Sequence, residues 1–169
     1  MKKPLTRLGT GSTELPKPWD FGADNRNDPD ARHAWDEFGG LSIDEAFAKF
    51  VSHPLCFQED FMFMGGAAFA YYYPVLDHYL REYRVGIGLG DNEDSYATVI
   101  AGGLCMQLLS KNLSALEPIM EQISDLVDYV RSHTQILADD PEEQADINST
   151  WQVLQAQLLQ IRARQKNQN

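Results

Sequence analysis

The sequence predicts an all-α fold, an irregular bundle of about six helices around a central aromatic-rich helix. Apolar residues recur every three or four positions along most of the chain, as on one face of a helix. Helix start signals precede several of these runs: Ser42 has Glu45 at capping-box spacing, and Asp28 and Asp140 each precede a proline. No segment alternates apolar and polar residues as a half-buried strand does, and the 169 residues suffice for one core.

The N-terminal part differs in composition from the rest. Residues 1–28 are rich in proline, glycine and polar residues, which predicts an extended N-terminal arm. We expect Trp19 and Phe21 to hold this arm against the rest of the chain. Residues 29–169 are then predicted to form a single helical domain.

The first predicted helices follow directly from their start and stop signals. One begins at the Asp28-Pro29 cap and ends before Gly39, and the next runs from Ser42 to near His53. Residues 55–83 keep a helical period but contain Gly65-Gly66 and Pro74, so we expect a kink or two helices, with Pro74 near a helix start.

Three further helices are predicted in the second half, after a glycine-rich loop at 85–90. One spans about 94–109, and another spans about 113–130 with an acidic outer face formed by Glu117, Glu121, Asp125 and Asp128. The last begins at 139–141 and carries an apolar seam. The seam residues are Ile147, Trp151, Leu154, Leu158 and Ile161. Packing on the chain's own core is the favoured interpretation, and a homodimer through this seam is the alternative.

Aromatic residues are concentrated between positions 57 and 83, where nine of them occur. They are Phe57, Phe61, Phe63, Phe69, Tyr71, Tyr72, Tyr73, Tyr79 and Tyr83. Three successive tyrosines sweep about 200° around a helix, so they are all buried only if other helices surround that helix. Core packing is therefore the favoured interpretation, and an exposed tyrosine patch for binding is the alternative.

The formal charge of −11 disfavours whole classes of partner. A surface of this sign repels phosphate backbones and anionic lipid, so we expect no nucleic-acid and no membrane partner, and it favours a basic protein. Cys56 and Cys105 lie in apolar surroundings without the spacing of a redox or metal pair, and we expect both to be buried thiols. The N-terminus lacks the apolar core of a signal peptide, so the predicted location is cytoplasmic.

Ligand and catalytic motifs are not found in the sequence. The four histidines, His33, His53, His78 and His133, stand apart from one another, and no recognised metal, cofactor or nucleophile pattern occurs. We therefore predict no metal, no cofactor and no catalytic residues, and a function that is more often binding than catalysis.

One block of the chain resembles a family. Glu59-Asp60-x-Met62-x-Met64-Gly65-x-x-Ala68-Phe69-x-Tyr71/Tyr72-x-Pro74 is similar to a segment of small bacterial proteins of unassigned function. The resemblance implies a bacterial origin and assigns no role to any residue.

Two functions remain open from the sequence. The leading hypothesis is a non-enzymatic protein-binding module, of the immunity or antitoxin type, that inhibits a basic bacterial partner. The alternative is an enzyme or small-molecule binder with an aromatic pocket between helices, lined by Tyr72, His78 and Tyr79. The candidate binding residues for both are Glu59, Asp60, Tyr71, Tyr72, Tyr73, His78 and Tyr79.

Overall fold

The computed structural model describes residues 10, 12–82, 96–109 and 113–167, and all regular secondary structure in these ranges is helical. The helices in chain order are α1 (Pro18–Phe21), α2 (Pro29–Phe38), α3 (Ile43–Ser52), α4 (Pro54–Phe63), α5 (Gly66–Glu82), α6 (Tyr96–Leu109), α7 (Leu113–Leu116), α8 (Met120–Ser132), α9 (Thr134–Leu137) and α10 (Pro141–Lys166). A 3-10 turn, Glu117–Ile119, joins α7 to α8. The predicted all-α class is confirmed. The predicted loop at 85–90 lies outside the described residues.

The helix starts expected from the sequence are confirmed at three places. The Asp28 side chain accepts a hydrogen bond from the Ala31 N–H at 3.0 Å and caps α2. Ser42 and Glu45 form the capping box that begins α3. The Asp140 side chain accepts from Glu142 and begins α10. Each cap satisfies an N–H that the helix itself leaves unpaired.

Helix α5 is the centre of the bundle. Of its 17 residues, 13 are buried, and they include Tyr71, Tyr72 and Tyr73 in succession. Such burial requires neighbours on every side, which α1, α3, α6, α7 and α8 supply. The aromatic side chains of α5 are therefore core residues, and the alternative of an exposed tyrosine patch is wrong for Tyr71, Tyr72, Tyr73 and Tyr79. Phe63 on α4 is 43% exposed, and Tyr83 lies outside the described residues.

The helix break in the aromatic region lies at Gly65, between α4 and α5, while Pro74 lies inside α5. The expectation that Pro74 stands near a helix start is therefore wrong. The Gly65 N–H donates to the Phe21 carbonyl at 2.8 Å, and a Cβ at this position would lie 2.4 Å from the Asp20 carbonyl oxygen. The break thus occurs where the backbone of α1 approaches, and burial on all sides of α5 offsets the hydrogen bond that Pro74 removes.

The N-terminal segment is held by one aromatic residue. Residues 12–17 lack regular secondary structure, and α1 adds a single helical turn. Phe21 is fully buried, whereas the Trp19 side chain is 65% exposed. Phe21 therefore anchors the segment, and the expectation that Trp19 also does so is wrong.

The apolar seam of α10 is used within the chain. Its five residues, Ile147, Trp151, Leu154, Leu158 and Ile161, are buried against α6 and α8. The Trp151 indole N–H donates to the Ala97 carbonyl at 2.9 Å, which fixes α10 to α6. The seam leaves no surface for a second copy, so the alternative of a homodimer through it is not supported.

The two cysteines differ in exposure. Cys56 is exposed on the first turn of α4 and Cys105 is partly buried, so the prediction of a buried thiol at Cys56 is wrong. Within the described ranges, no helix has both the length and the apolar character needed to cross a bilayer.

Candidate functional site

The predicted site residues do not converge on one surface. Tyr72, Tyr73 and Tyr79 are fully buried, Asp60 is 4% exposed and Tyr71 is 7% exposed. Glu59 is exposed and His78 is half-buried. Most of these side chains therefore belong to the core rather than to a binding face.

The predicted pocket between Tyr72, His78 and Tyr79 is occupied by neighbouring side chains. The Tyr79 ring packs edge-to-face on Phe50 with ring centroids 5.1 Å apart, and the His78 ring packs on Phe47 at 4.7 Å. These contacts fill the space that a ligand would need, so the expected lining is wrong.

The hydroxyls of two tyrosines join α5 to other parts of the bundle. The Tyr72 hydroxyl lies 2.7 Å from the Phe38 carbonyl oxygen and 2.8 Å from that of Leu41, and donates to this pair at the end of α2. The Tyr73 hydroxyl donates to the Gln122 carbonyl of α8 at 3.0 Å. Burial raises the pKa of both phenols well above the ordinary value, so both stay protonated donors. Their role is to position helices.

A histidine–carboxylate pair joins α2 to α4. The His33 Nδ1 lies 2.8 Å from the Asp60 Oδ1, and the side chains are 66% and 5% exposed respectively. The hydrogen bond and charge of Asp60 raise the pKa of His33, whereas burial raises the pKa of Asp60 against the opposing effect of His33. The second Asp60 oxygen, Oδ2, is buried without a hydrogen-bond partner in the described residues. Sequence reasoning missed this pair because its members are 27 residues apart.

A second ion pair stands beside the first. The Lys49 Nζ on α3 lies 2.5 Å from the Glu37 carboxylate and donates to the Glu37 carbonyl at 2.7 Å. Its ammonium also lies 5.2 Å from the centre of the Phe57 ring. The hydrogen bond to Lys49 lowers the pKa of Glu37. The two pairs together fasten α2, α3 and α4, and the described residues contain no group of three side chains able to hold a metal ion.

The outer face of α8 and its preceding turn forms an acidic stripe, defined by Glu117, Glu121, Asp125 and Asp128. All four side chains are exposed, while the opposite face of the helix is in the core. The Arg162 guanidinium of α10 pairs with Glu121 at 2.8 Å. Glu117 and Asp125 have no ion-pair partner in the part of the chain that the structure describes. The predicted acidic face of this helix is thus present and largely uncompensated.

The N-terminal groove, between residues 12–20 and the start of α5, has a volume of about 350 Å³. Its lining includes Glu14, Leu15, Lys17, Trp19, Ala67 and Tyr71. Tyr71 alone among the predicted site residues lines it. The sequence did not indicate this groove because the arm meets α5 about 50 residues further along the chain.

Residues of the block that resembles a bacterial family have identifiable structural contacts. Asp60 holds His33, Gly65 admits the backbone of α1, and the Met64 carbonyl accepts from Gln107 of α6 at 2.8 Å. These contacts explain the residue types by packing alone. Comparisons with known proteins find no matching family model, no similar curated protein and no similar solved structure. The resemblance therefore stays a prediction.

Proposed function

We propose that the chain is a non-enzymatic protein-binding module, an immunity-type inhibitor in a bacterial cytoplasm, which binds a basic partner through the acidic stripe of α8. The observation that carries this proposal is the exposure of four carboxylates along one helical face, of which Glu121 is ion-paired with Arg162. Glu117 and Asp128 are 11 positions apart, which corresponds to roughly 17 Å along a helix. A stripe of this length can contact several basic side chains at once.

The rigidity of α8 supports the same function. The side opposite the stripe is buried through Ile123, Leu126, Val127 and Val130, so the carboxylates project from a fixed backbone. A preorganised face loses less conformational entropy on binding than a mobile one. The formal charge of −11 also accelerates encounter with a cationic partner at low salt.

The ionisable groups elsewhere favour binding over catalysis. The Asp77–Arg81, His33–Asp60 and Glu37–Lys49 pairs each connect side chains within or between helices, and none of the six lines the N-terminal groove. Cytoplasmic location is part of the proposal, and the free thiols of Cys56 and Cys105 support it.

Affinity capture from the native host tests the proposal with charge-matched variants. The tagged full chain is compared with Glu117→Gln/Asp125→Asn, which removes the two carboxylates of the stripe that have no ion-pair partner in the described residues. The control is Asp24→Asn/Glu142→Gln, which removes the same charge from exposed positions elsewhere. We expect one stoichiometric basic protein to bind the wild type and the control. The stripe variant should bind roughly two- to thirtyfold more weakly, because each of the two exposed pairs that it removes contributes about 0.2–1 kcal/mol.

The outcomes separate the parts of the proposal. Equal loss in both double variants would show that only net charge matters and would reject the stripe as the contact surface. An association rate that is unchanged between low and high ionic strength would reject the electrostatic mechanism. If the native host lysate yields no stoichiometric protein at either salt concentration, the binding function itself is contradicted.

A further inference from the structure

The N-terminal groove contains a tyrosine whose polar group has no partner. Tyr71 is 7% exposed and lines the groove, and its hydroxyl has no hydrogen-bond partner among the described residues. Its neighbours Tyr72 and Tyr73 both donate to carbonyl oxygens. Most of the Tyr71 side chain is buried, and its unpaired hydroxyl is the polar group that it presents to the groove, where a ligand atom can accept its hydrogen bond.

The position of Tyr71 on α5 directs this hydroxyl toward the start of the helix. Long side chains of a helix lean toward its N-terminus, so the ring extends over Ala67, which also lines the groove. The first N–H groups of a helix have no acceptor within it and carry a partial positive charge. A ligand carboxylate at this end of the groove would meet both the hydroxyl and the helix N-terminus.

The groove also presents one unpaired charge of each sign. Lys17 and Glu14 are both exposed lining residues, and neither has an ion-pair partner in the described chain. The third charged residue, Asp20, accepts a hydrogen bond from the Lys17 backbone N–H at 2.7 Å and so caps α1. An ammonium and a carboxylate on one small molecule would satisfy Glu14 and Lys17 together.

Trp19 supplies an apolar face at the same place. Its ring is 65% exposed, while the adjacent Phe21 is fully buried and its carbonyl accepts from the Gly65 N–H. These contacts hold α1 on α5, so Trp19 is presented to solvent from a fixed turn. Leaving a tryptophan ring in water forgoes about 2–3 kcal/mol of burial, which contact with a ligand would recover.

We propose that the N-terminal groove binds a free α-amino acid with an aromatic side chain. The ligand carboxylate lies between Lys17, the Tyr71 hydroxyl and the start of α5, its ammonium pairs with Glu14, and its ring packs on Trp19. The volume of about 350 Å³ is at the lower end of the range for small-molecule sites, which suits one amino acid. This site is separate from the α8 stripe and goes beyond the protein-binding function.

Isothermal titration of the full chain at low ionic strength tests the proposal with three probes. L-phenylalanine carries both charges, 3-phenylpropionate lacks the ammonium, and phenethylamine lacks the carboxylate. We expect L-phenylalanine to bind with a Kd in the millimolar range or below, and Trp19→Ala to weaken it at least about fivefold. Leu159→Ala, which alters another exposed apolar side chain on α10, is the matched control and should change nothing.

The charged variants assign the orientation. Lys17→Gln should weaken the binding of L-phenylalanine and 3-phenylpropionate about two- to fivefold and leave the binding of phenethylamine unchanged. Glu14→Gln should weaken the binding of L-phenylalanine and phenethylamine and leave that of 3-phenylpropionate unchanged. Lys166→Gln, at an exposed lysine of α10, should affect none of the probes. Thermal unfolding of each variant checks that the fold is intact.

Three results would overturn the proposal. The first is the absence of any binding heat for L-phenylalanine up to about 10 mM, because a Kd above that concentration would be too weak for a specific site. The second is binding that Trp19→Ala leaves unchanged in a folded protein, which would place the probe elsewhere. The third is that Lys17→Gln and Glu14→Gln weaken all three probes alike, which would exclude the two-charge orientation.

Discussion

The exposed imidazole of His33 is bound through Nδ1 to the buried carboxylate of Asp60 at 2.8 Å, so a surface side chain pairs with a carboxylate in the core. The Asp60 hydrogen bond and charge raise the pKa of His33, and burial raises the pKa of Asp60. Both pKa values are raised, so both groups bind their proton more tightly in the folded state than in the unfolded chain. Both groups therefore make the folded state less stable as the pH rises.

This pair predicts that stability decreases as the pH rises above about 6.5, the ordinary histidine pKa. A raised folded-state pKa contributes stability that is complete below 6.5 and is lost as the pH passes through the raised value. Because the His33 side chain is 66% exposed, we expect the free energy of unfolding to fall by less than about 1 kcal/mol between pH 6 and 8.5. Urea unfolding should show it in the wild type and in His53→Gln, and not in His33→Gln. An unchanged slope in His33→Gln would contradict the assignment.

The close approach of α1 predicts that Gly65→Ala destabilises the protein. The new Cβ would lie 2.4 Å from the Asp20 carbonyl oxygen and 2.9 Å from the Phe21 carbonyl carbon, so the two backbones must separate. We expect a loss of about 2–3 kcal/mol in the free energy of unfolding. Gly102→Ala in α6 meets nothing within 4 Å and should stabilise by about 0.5–1 kcal/mol. Thermal and urea unfolding measure both, and equal effects would refute the packing argument.

Adjacent tyrosines of α5 provide a matched test of the hydroxyl contacts. Tyr72→Phe removes the hydroxyl that donates to the Phe38 and Leu41 carbonyl oxygens. We expect the free energy of unfolding to fall by about 1–2 kcal/mol, because both carbonyls lose this donor. Tyr71→Phe removes a hydroxyl that has no partner in the described residues, and we expect it to be neutral within about 0.5 kcal/mol. Chemical unfolding of both variants checks this. Similar losses at the two positions would mean that the Tyr72 contacts do not stabilise the fold.

The burial of the α10 seam predicts a change in stability rather than in mass. Leu154 is fully buried, so Leu154→Ala should cost about 2–4 kcal/mol, whereas Val153→Ala, at a side chain 62% exposed, should be nearly neutral. Sedimentation equilibrium of the two variants and the wild type should give the same mass for all three. A dimeric wild type that becomes monomeric in Leu154→Ala would restore the dimer alternative.

The site was less accessible to sequence analysis than the fold. The acidic face of α8 was predicted because Glu117, Glu121, Asp125 and Asp128 follow one helical period. The binding roles proposed for Tyr72 and Tyr79 failed because a tyrosine has the same local signal whether its ring is in the core or at a surface. Only Tyr71 of that set lines the N-terminal groove, and its hydroxyl has no partner in the described residues, whereas the Tyr72 hydroxyl donates to backbone carbonyls.

The sequence by itself determined the helical class, the capped starts of α2, α3 and α10, and the buried faces of α8 and α10. Caps and helical periodicity act over a few residues, so they can be read locally. Only the tertiary structure decided that the aromatic helix breaks at Gly65 instead of Pro74, that His33 meets Asp60, and that Trp19 stays in solvent. Each of these depends on contacts between segments that are distant in the chain, and such contacts leave no local pattern in the residues that make them.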